Sequence, residues 1–518
     1  MPVMVASAMS ALIAAVLLAV GGIGSGSTTA VAGAPAKPPP NIVFVLTDDL
    51  SWDLVSHMPH VQALARKGAS LQNYYVTDSL CCPSRATIFT GEYPHNTKVI
   101  SNIPPRGGYA SFNQNHDEQN TWARSLHGAG YDTAMMGKYL NGYAPDNPIP
   151  PGWSDWEVAS SKGYAGYGYR FNRNGTVTPP YGYAPKDYLT TVLKGRAKKF
   201  IDSAASPFAL EVATYSPHDD VKILHTNPNV KPGYATPAPR DDKPFQCLHN
   251  AFRVPRGGSF NVKSVHAPKW LDTRRLSPHE REKLDARFCK RAQAVESVDR
   301  MVGTLERELV KQGIAKNTYF VFSSDNGFHT GQHRLGAGKM TAFEEDIRVP
   351  FIVTGPGIQP GTKINQIGSN IDLAPTFDAM AGASVMPTVD GHNLLGLLHG
   401  TPGAGAGWRK RVMVEHRFAP KNVAGPDRQS RRDGYPPSYK AIRGRNYLYV
   451  EYSHGPLGQN NRPEYYRLHG DAYTHERVNT YRKLSKRRRH VLHLQVKSLL
   501  KCHGHAGRSS CWTRAGGT

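Results

Sequence analysis

Short apolar runs that stop abruptly at polar residues constrain this chain more than any other feature. Residues 41–46 (NIVFVL) form a nearly continuous apolar stretch that ends in Thr47-Asp48-Asp49. Such a run predicts a strand buried on both faces. Residues 132–136 lead likewise into Gly137-Lys138, and 208–214 into Ser216-Pro217-His218. Residues 318–322 lead into Ser323-Ser324-Asp325-Asn326-Gly327, and 351–353 into Gly355-Pro356-Gly357. Helical patterns at 60–67 and 292–312 lie between them. Strands alternating with helices predict an α/β domain with a largely parallel sheet. Ligands of such sheets bind beyond the carboxyl ends of the strands. Asp48, Asp49, Lys138, His218, Asp325 and Asn326 are therefore expected to converge. One polar loop residue alone would carry no meaning, but four clusters in the same topological position do.

The chain has 518 residues, 39% hydrophobic and 20% charged, with 50 Gly and 39 Pro. That balance excludes a fibrous, wholly disordered or polytopic membrane protein. The formal charge of +23 favours an anionic partner: nucleic acid, acidic polysaccharide or an anionic membrane surface. No RNA-recognition, helix-turn-helix or zinc-finger pattern points to nucleic acid.

Residues 3–23 are almost wholly apolar, no Lys or Arg precedes Lys37, and Ala30-Val31-Ala32 offers a small-x-small cleavage site. This predicts a signal peptide over 1–32 and a secreted or extracytoplasmic protein. The alternative is an uncleaved membrane anchor. No Cys precedes Cys81, which excludes lipid attachment at a lipobox. A Pro-rich linker is expected at 33–40, a main domain at 41–400, a Gly/Ala/Pro-rich linker at 401–410 and a smaller C-terminal unit at 411–518. That unit shows strand-like runs at 411–415 and 447–452 and a last helix at 482–501, with Leu492, Val496, Leu499 and Leu500 at helical spacing. Lys486-Arg487-Arg488-Arg489-His490 on that helix reads equally as a solvated face or as a patch for a polyanion.

Six cysteines suggest disulfides in an exported chain. Cys502 and Cys511 close a short loop, and Cys247 and Cys289 could pair across a long Pro-rich insertion. Adjacent Cys81 and Cys82 rarely bond to each other, and no Cys/His cluster suggests zinc. The segment Cys81-Cys82-Pro83-Ser84-Arg85 … Thr90-Gly91 predicts a helix, with Pro83 in its first turn and Gly91 at its end. Cys81 then sits at a helix N-terminus, which favours an anion, with Arg85 one turn on. The bland alternative is a buried structural cysteine.

This segment resembles the sulfatase signature C-x-P-S-R-x-x-x-x-T-G at every fixed position. Only Cys81 is in register. The resemblance implies that Cys81 becomes formylglycine, that two disulfides form and that Cys82 remains a buried thiol. Thr47-Asp48-Asp49 resembles the family's N-terminal metal-binding pair, and Ser324-Asp325-Asn326-Gly327 its second metal segment. Gly137-Lys138 and Ser216-Pro217-His218 resemble its active-site Lys and His motifs. Lys339, Glu344, Arg348, Val349 and Pro350 resemble the block that carries its second lysine. The likeness runs from about Asn41 to Gly400 and more weakly through 464–479. Its details look most like the N-acetylglucosamine-6-sulfatase branch. Leu140 stands where many members have His, leaving Asn141, His329 or His333 to supply that polar group.

The resemblance implies an alkaline-phosphatase-like sandwich with a smaller C-terminal α+β subdomain. It implies catalytic Cys81, Arg85, Lys138, His218 and Lys339, and metal ligands Asp48, Asp49, Cys81, Asp325 and Asn326. An oxygen donor set suits Ca²⁺, with Mg²⁺ as the alternative. The expected partners are a sulfated carbohydrate or aryl sulfate and a formylglycine-generating enzyme. Two rivals remain: a phosphonate or phosphate monoester hydrolase of the same fold, and a non-catalytic binder of acidic polysaccharide.

Overall fold

The computed structural model describes residues 38–518, apart from 206, 221–232, 244–245, 248–251, 272, 419–426, 428, 430, 454–460, 469–475 and 505. The expected signal segment and most of the 33–40 linker lie outside the described residues.

The unalternating run at 41–46 becomes the central strand of a ten-stranded sheet. Strand β1 (Asn41–Thr47) sends Ile42, Phe44 and Leu46 to one face and Val43 and Val45 to the other, all buried. Chain order continues with β2 (Ala69–Tyr75), β3 (Asp132–Gly137), β4 (Asp155–Ala159), β5 (Phe171–Arg173), β6 (Thr176–Val177), β7 (Phe208–Ala213) and β8 (Thr318–Ser324). The short pair β9 (His329–Thr330) and β10 (Ala337–Gly338) stands apart, before β11 (Phe351–Thr354) and β12 (Thr362–Ser369). The sheet order is β12-β2-β11-β8-β1-β7-β3-β4-β5-β6. Its middle, β8-β1-β7-β3-β4, is wholly parallel. Strand β11 runs antiparallel to both neighbours. Its Gly355-Pro356-Gly357 turn therefore lies at the opposite edge from the other polar clusters, a difference that an apolar run alone does not encode.

Helices cover both faces. Helices α1 (Pro59–Lys67), α3 (Leu189–Ser203) and α4 (Pro278–Lys311) pack on the Val43/Val45 side, and α2 (Cys81–Thr90) and α5 (Leu373–Ala381) on the other. Helix α4 starts well before residue 292, where the sequence pattern placed it. Ser277 caps its N-terminus by accepting from Glu280 N, and Pro278 stands at the first helical position. Helix α2 ends as expected: Gly91 adopts φ +72°, and its N–H bonds Thr87 O at 2.8 Å.

The C-terminal unit is a four-stranded antiparallel sheet of β13 (Arg411–His416), β14 (Tyr439–Gly444), β15 (Tyr447–Tyr452) and β16 (Glu464–Arg467). One face, with Val412, Val414, Ala441, Leu448 and Val450, joins the main core. The other, with Met413, Ile442 and Tyr449, packs on α6 (Lys486–Leu499) through Leu492, Val496 and Leu499. Residues 39–518 thus form one compact unit. Disulfides join Cys247 to Cys289 and Cys502 to Cys511, while Cys81 and Cys82 are free and buried. No described helix is long and apolar enough to cross a membrane.

One ion pair fastens the small sheet to the rest. His95 Nδ1 lies 2.5 Å from Glu415 Oε1, and Lys440 bonds the other oxygen. Burial opposes charge on His95, but Glu415 raises its pKa. Burial likewise disfavours the Glu415 carboxylate, yet Lys440 and His95 bring it down to about 2. The histidine's stabilisation is complete below its unfolded value of about 6.5 and fades as pH rises through its higher folded value. The glutamate's is complete above about 4.5 and fades as pH falls towards 2. Between roughly pH 4.5 and 6.5 both are complete. The stability gap between wild type and His95→Gln is therefore expected to be widest there and to shrink at pH 8–9. Urea unfolding across that range checks this; a pH-independent gap contradicts it.

Candidate active site

Register brings the polar clusters together. In the parallel middle of the sheet Thr47 pairs with Ser324, Leu46 with Ala213, and Gly137 with Ala213. Four strands therefore end level, and each is followed at once by polar residues. Asp48 and Asp49 follow β1, Lys138 follows β3, Asp325 and Asn326 follow β8, and His218 lies a short turn beyond β7. Gly137 is required where it stands: φ is +103°, and a Cβ would fall 2.0 Å from Ala213 O. Asp49 adopts a left-handed φ of +63°, and its N–H bonds Asp325 Oδ1 at 3.2 Å.

Cys81 opens α2 and faces these residues. Its Sγ lies 3.3 Å from Asp48 Oδ1, 4.0 Å from Asp49 Oδ1 and 2.8 Å from Lys339 Nζ. Lys138 Nζ donates to Asp48 Oδ2 at 2.6 Å, and Lys339 Nζ to Asp49 Oδ1 at 2.6 Å. Arg85, fully buried, donates from Nε to Asp325 Oδ2 at 2.7 Å and from a terminal nitrogen to Lys138 O at 2.8 Å. His218 Nε2 lies 3.5 Å from Asp49 Oδ2, and its Nδ1 lies 2.7 Å from Asp219 O. Asn326 Nδ2 donates to Asp49 Oδ1 at 2.6 Å, while its Oδ1 is buried without a hydrogen-bond partner. All the catalytic and metal-ligating residues expected from the sequence thus fall into one connected cluster.

Charge follows from this geometry. Burial pushes the Cys81 thiol well up, and Asp427 and Asp48 push it further. Burial opposes the Lys138 ammonium, but Asp48 and then Cys81 hold its pKa well above the ordinary value. The same holds for Lys339, through Asp427 and Asp49. His218 rises despite burial because Asp49 and Asp48 face it.

Of the groups proposed to stand in for Leu140, the two histidines go elsewhere. His329 has Nδ1 on Asp346 at 2.9 Å and Nε2 by Asp433 O at 2.7 Å. His333 has Nδ1 on Ser264 at 2.8 Å and stacks on Phe343. Both imidazoles are held by other partners. Asn141 donates to Tyr164 OH at 3.2 Å, and the Tyr164 ring lies against His218 and near Lys138 Nζ.

One participant escaped the sequence reading. Asp427 Oδ1 lies 2.6 Å from Lys339 Nζ, 2.9 Å from His218 Nε2 and 3.9 Å from Cys81 Sγ. Its other oxygen accepts from Asn102. Lys339 and His218 hold its pKa well below the carboxylate range against the effect of burial. It lies in no periodic pattern and follows no strand-like run, so no sequence signal marked it. Arg291 was likewise missed; it donates to Asp49 O and Pro217 O from α4.

The fold is shared with a phosphonate monoester hydrolase from Silicibacter pomeroyi, at TM-score 0.59 and 19% identity, covering 89% of this chain and 94% of that one. It is shared too with a protein solved in complex with its substrate D-glucosamine-2-N,6-O-disulfate, at TM-score 0.69 and 22% identity over 89% of this chain and 97% of that one. These likenesses define the fold, an alkaline-phosphatase-like sandwich. Residues 40–383 match the Sulfatase family. The N-acetylglucosamine-6-sulfatase of Homo sapiens is 37% identical over 402 residues, 75% of this chain and 69% of that one. The chain belongs to the sulfatase family and is an enzyme that hydrolyses sulfate esters.

Asp427 places a carboxylate against two cations that an anionic ester would also seek. Asp427→Asn removes that like charge and is expected to tighten binding of inorganic sulfate by about tenfold, ~1.4 kcal/mol. Competitive inhibition by sulfate measures it; weaker inhibition in the variant contradicts the expectation.

Proposed function

We propose that this sulfatase acts through a formylglycine at position 81 and takes sulfate from the 6-position of N-acetylglucosamine-type sugars. The supporting observation is Cys81 itself. It stands at a helix N-terminus, 2.8 Å from one ammonium and 3.3 Å from a carboxylate. A cysteine nucleophile finds little use for so buried a thiol, whereas an aldehyde-derived side chain needs such surroundings. A formylglycine-generating enzyme is the maturation partner in this reading. When formed, the group supplies a hydrated aldehyde: one hydroxyl to attack sulfur and a second to release sulfate.

Asp48, Asp49, Asp325, Asn326 and residue 81 would hold a hard divalent cation, Ca²⁺ in preference to Mg²⁺. The residues fit it: the Asp48 and Asp49 carboxylates and Sγ cluster within 4.8 Å, and Asn326 Oδ1 is buried with no hydrogen-bond partner. Bound there, such an ion would supply positive charge to the sulfuryl oxygens and acidity to the hydroxyl at position 81. Lys138 and Lys339 present fixed positive charge to the sulfuryl group. Arg85 orients Asp325 through its Nε bond. His218, raised in pKa and next to Lys339 across Asp427, delivers a proton to the departing alcohol. The two disulfides support an extracytoplasmic site of action.

Mass spectrometry of the peptide around Cys81, from matured protein, is expected to show a species lighter than the cysteine form and reactive towards hydrazide. Cys81→Ser offers one hydroxyl, not two, and is expected to give at most one turnover on an aryl sulfate. Steady turnover by that variant would refute the mechanism. Among monosulfated glucosamines the 6-sulfate should give the highest kcat/KM, and an aryl phosphonate should lag behind the aryl sulfate. Faster phosphonate cleavage would move the assignment to the phosphonate hydrolases.

A further inference from the structure

Two buried side chains and one half-buried one, none of them read as catalytic or metal-ligating above, bring unsatisfied polar atoms close together. One ligand atom from each of His333, Glu345 and Glu476 lies within 4.8 Å of the other two. His333 Nε2, Glu345 Oε2 and Glu476 Oε2 are buried with no hydrogen-bond partner. His333 is 1% exposed and Glu476 0%. The second polar atom of each is already held. Ser264 Oγ lies 2.8 Å from His333 Nδ1, Ser259 Oγ donates to Glu345 Oε1 at 2.9 Å, and Glu344 N donates to Glu476 Oε1 at 3.0 Å. The imidazole is further fixed by stacking on Phe343, with ring centroids 4.0 Å apart. Outer partners that orient inner donors are the usual setting of metal ligands.

We propose that His333 Nε2, Glu345 Oε2 and Glu476 Oε2 bind a divalent transition-metal ion, Zn²⁺ or Mn²⁺ by donor type, as a second cation site. His333 Nε2 lies 3.9 Å from Glu476 Oε2. Among the described residues no Lys or Arg is ion-paired with Glu345 or Glu476. Burial lowers His333 to about 3, so its ring is neutral and its nitrogen a ready donor. Burial, with Asp346 adding to it, raises Glu345 to about 7, and burial with repulsion from Glu345 and Glu344 raises Glu476. Two acids and a neutral imidazole with no ion-paired Lys or Arg are what a dication relieves. One nitrogen and two oxygens suit Zn²⁺ or Mn²⁺ better than Ca²⁺. Ligand bonds of about 2.0–2.2 Å call for closure of the cluster by only about 1 Å, within reach of glutamate side-chain rotation. The ion would join the loop after β9, the turn at Glu344–Ile347 and the segment after β16, with Ser259 and Ser264 of the insertion behind it.

The test uses the full chain, stripped with chelator and equilibrated with Zn²⁺ alone, with bound metal counted by mass spectrometry. Wild type is expected to hold one equivalent more than His333→Ala and Glu345→Gln. Asp48→Asn is expected to keep that equivalent, because the site is not the one around Cys81. Zn²⁺ should raise the melting temperature of wild type and not that of Glu345→Gln. If His333→Ala does not fold, Glu345→Gln decides, since glutamine still accepts from Ser259. Equal zinc content in wild type and Glu345→Gln overturns the proposal and leaves the space to water.

Discussion

The mutual pairing of buried charges at the ends of four parallel strands is the constraint on which the site depends. Lys138 with Asp48, Lys339 with Asp49 and Asp427, and Arg85 with Asp325 are all almost wholly inside. An isolated charge there would cost several kcal/mol, so each group tolerates burial only beside its partner. The pairing works because Thr47, Ser324, Ala213 and Gly137 end at one level. A slip of one residue in β1 would turn Asp48 and Asp49 to opposite sides.

Much of this was legible in the sequence because the strands are buried on both faces. Their unbroken apolar runs announce where each ends, and the polar residues that follow are the site. Lys138, His218, Asp325 and Asn326 were found this way before any family likeness was invoked. Cys81 and Lys339 are different, for neither follows a strand of the parallel middle. The signature and the lysine block revealed them, and the bond from Met340 N to Ser79 O shows how those two loops are brought together. The direction of β11 was hidden, since a short apolar run reads the same in both directions. So was the start of α4, where Arg281, Glu282 and Lys283 dilute the apolar stripe and only the capping residues mark the turn.

Asp427 was illegible for a deeper reason. It belongs to the C-terminal region, whose small sheet lends one face to the main core. Gln429 nearby accepts from Lys339 N and donates to Lys339 O, which fixes the backbone of that lysine. The C-terminal region thus helps to position the lysine proposed to face the sulfuryl group through main-chain bonds. Contacts of that kind depend on tertiary packing and leave no pattern of spacing in the chain.

The charge of the whole and the charge of the site do different things. The excess of 63 basic over 40 acidic residues lies largely outside the cluster. Within it Arg85, Lys138, His218 and Lys339 face Asp48, Asp49, Asp325 and Asp427, so the chain's own groups nearly cancel. A near-neutral, desolvated pocket does not hold an anion by net charge. It holds one by where its donors point, and by any cation the acids bind. The surface field can still draw a polysulfated chain towards the protein, an effect that salt screens over about 10 Å. The buried pairs, a few ångströms apart and shut off from water, are screened far less. Ionic strength should therefore act on how fast an anionic polymer arrives more than on how the sulfuryl group is recognised once inside.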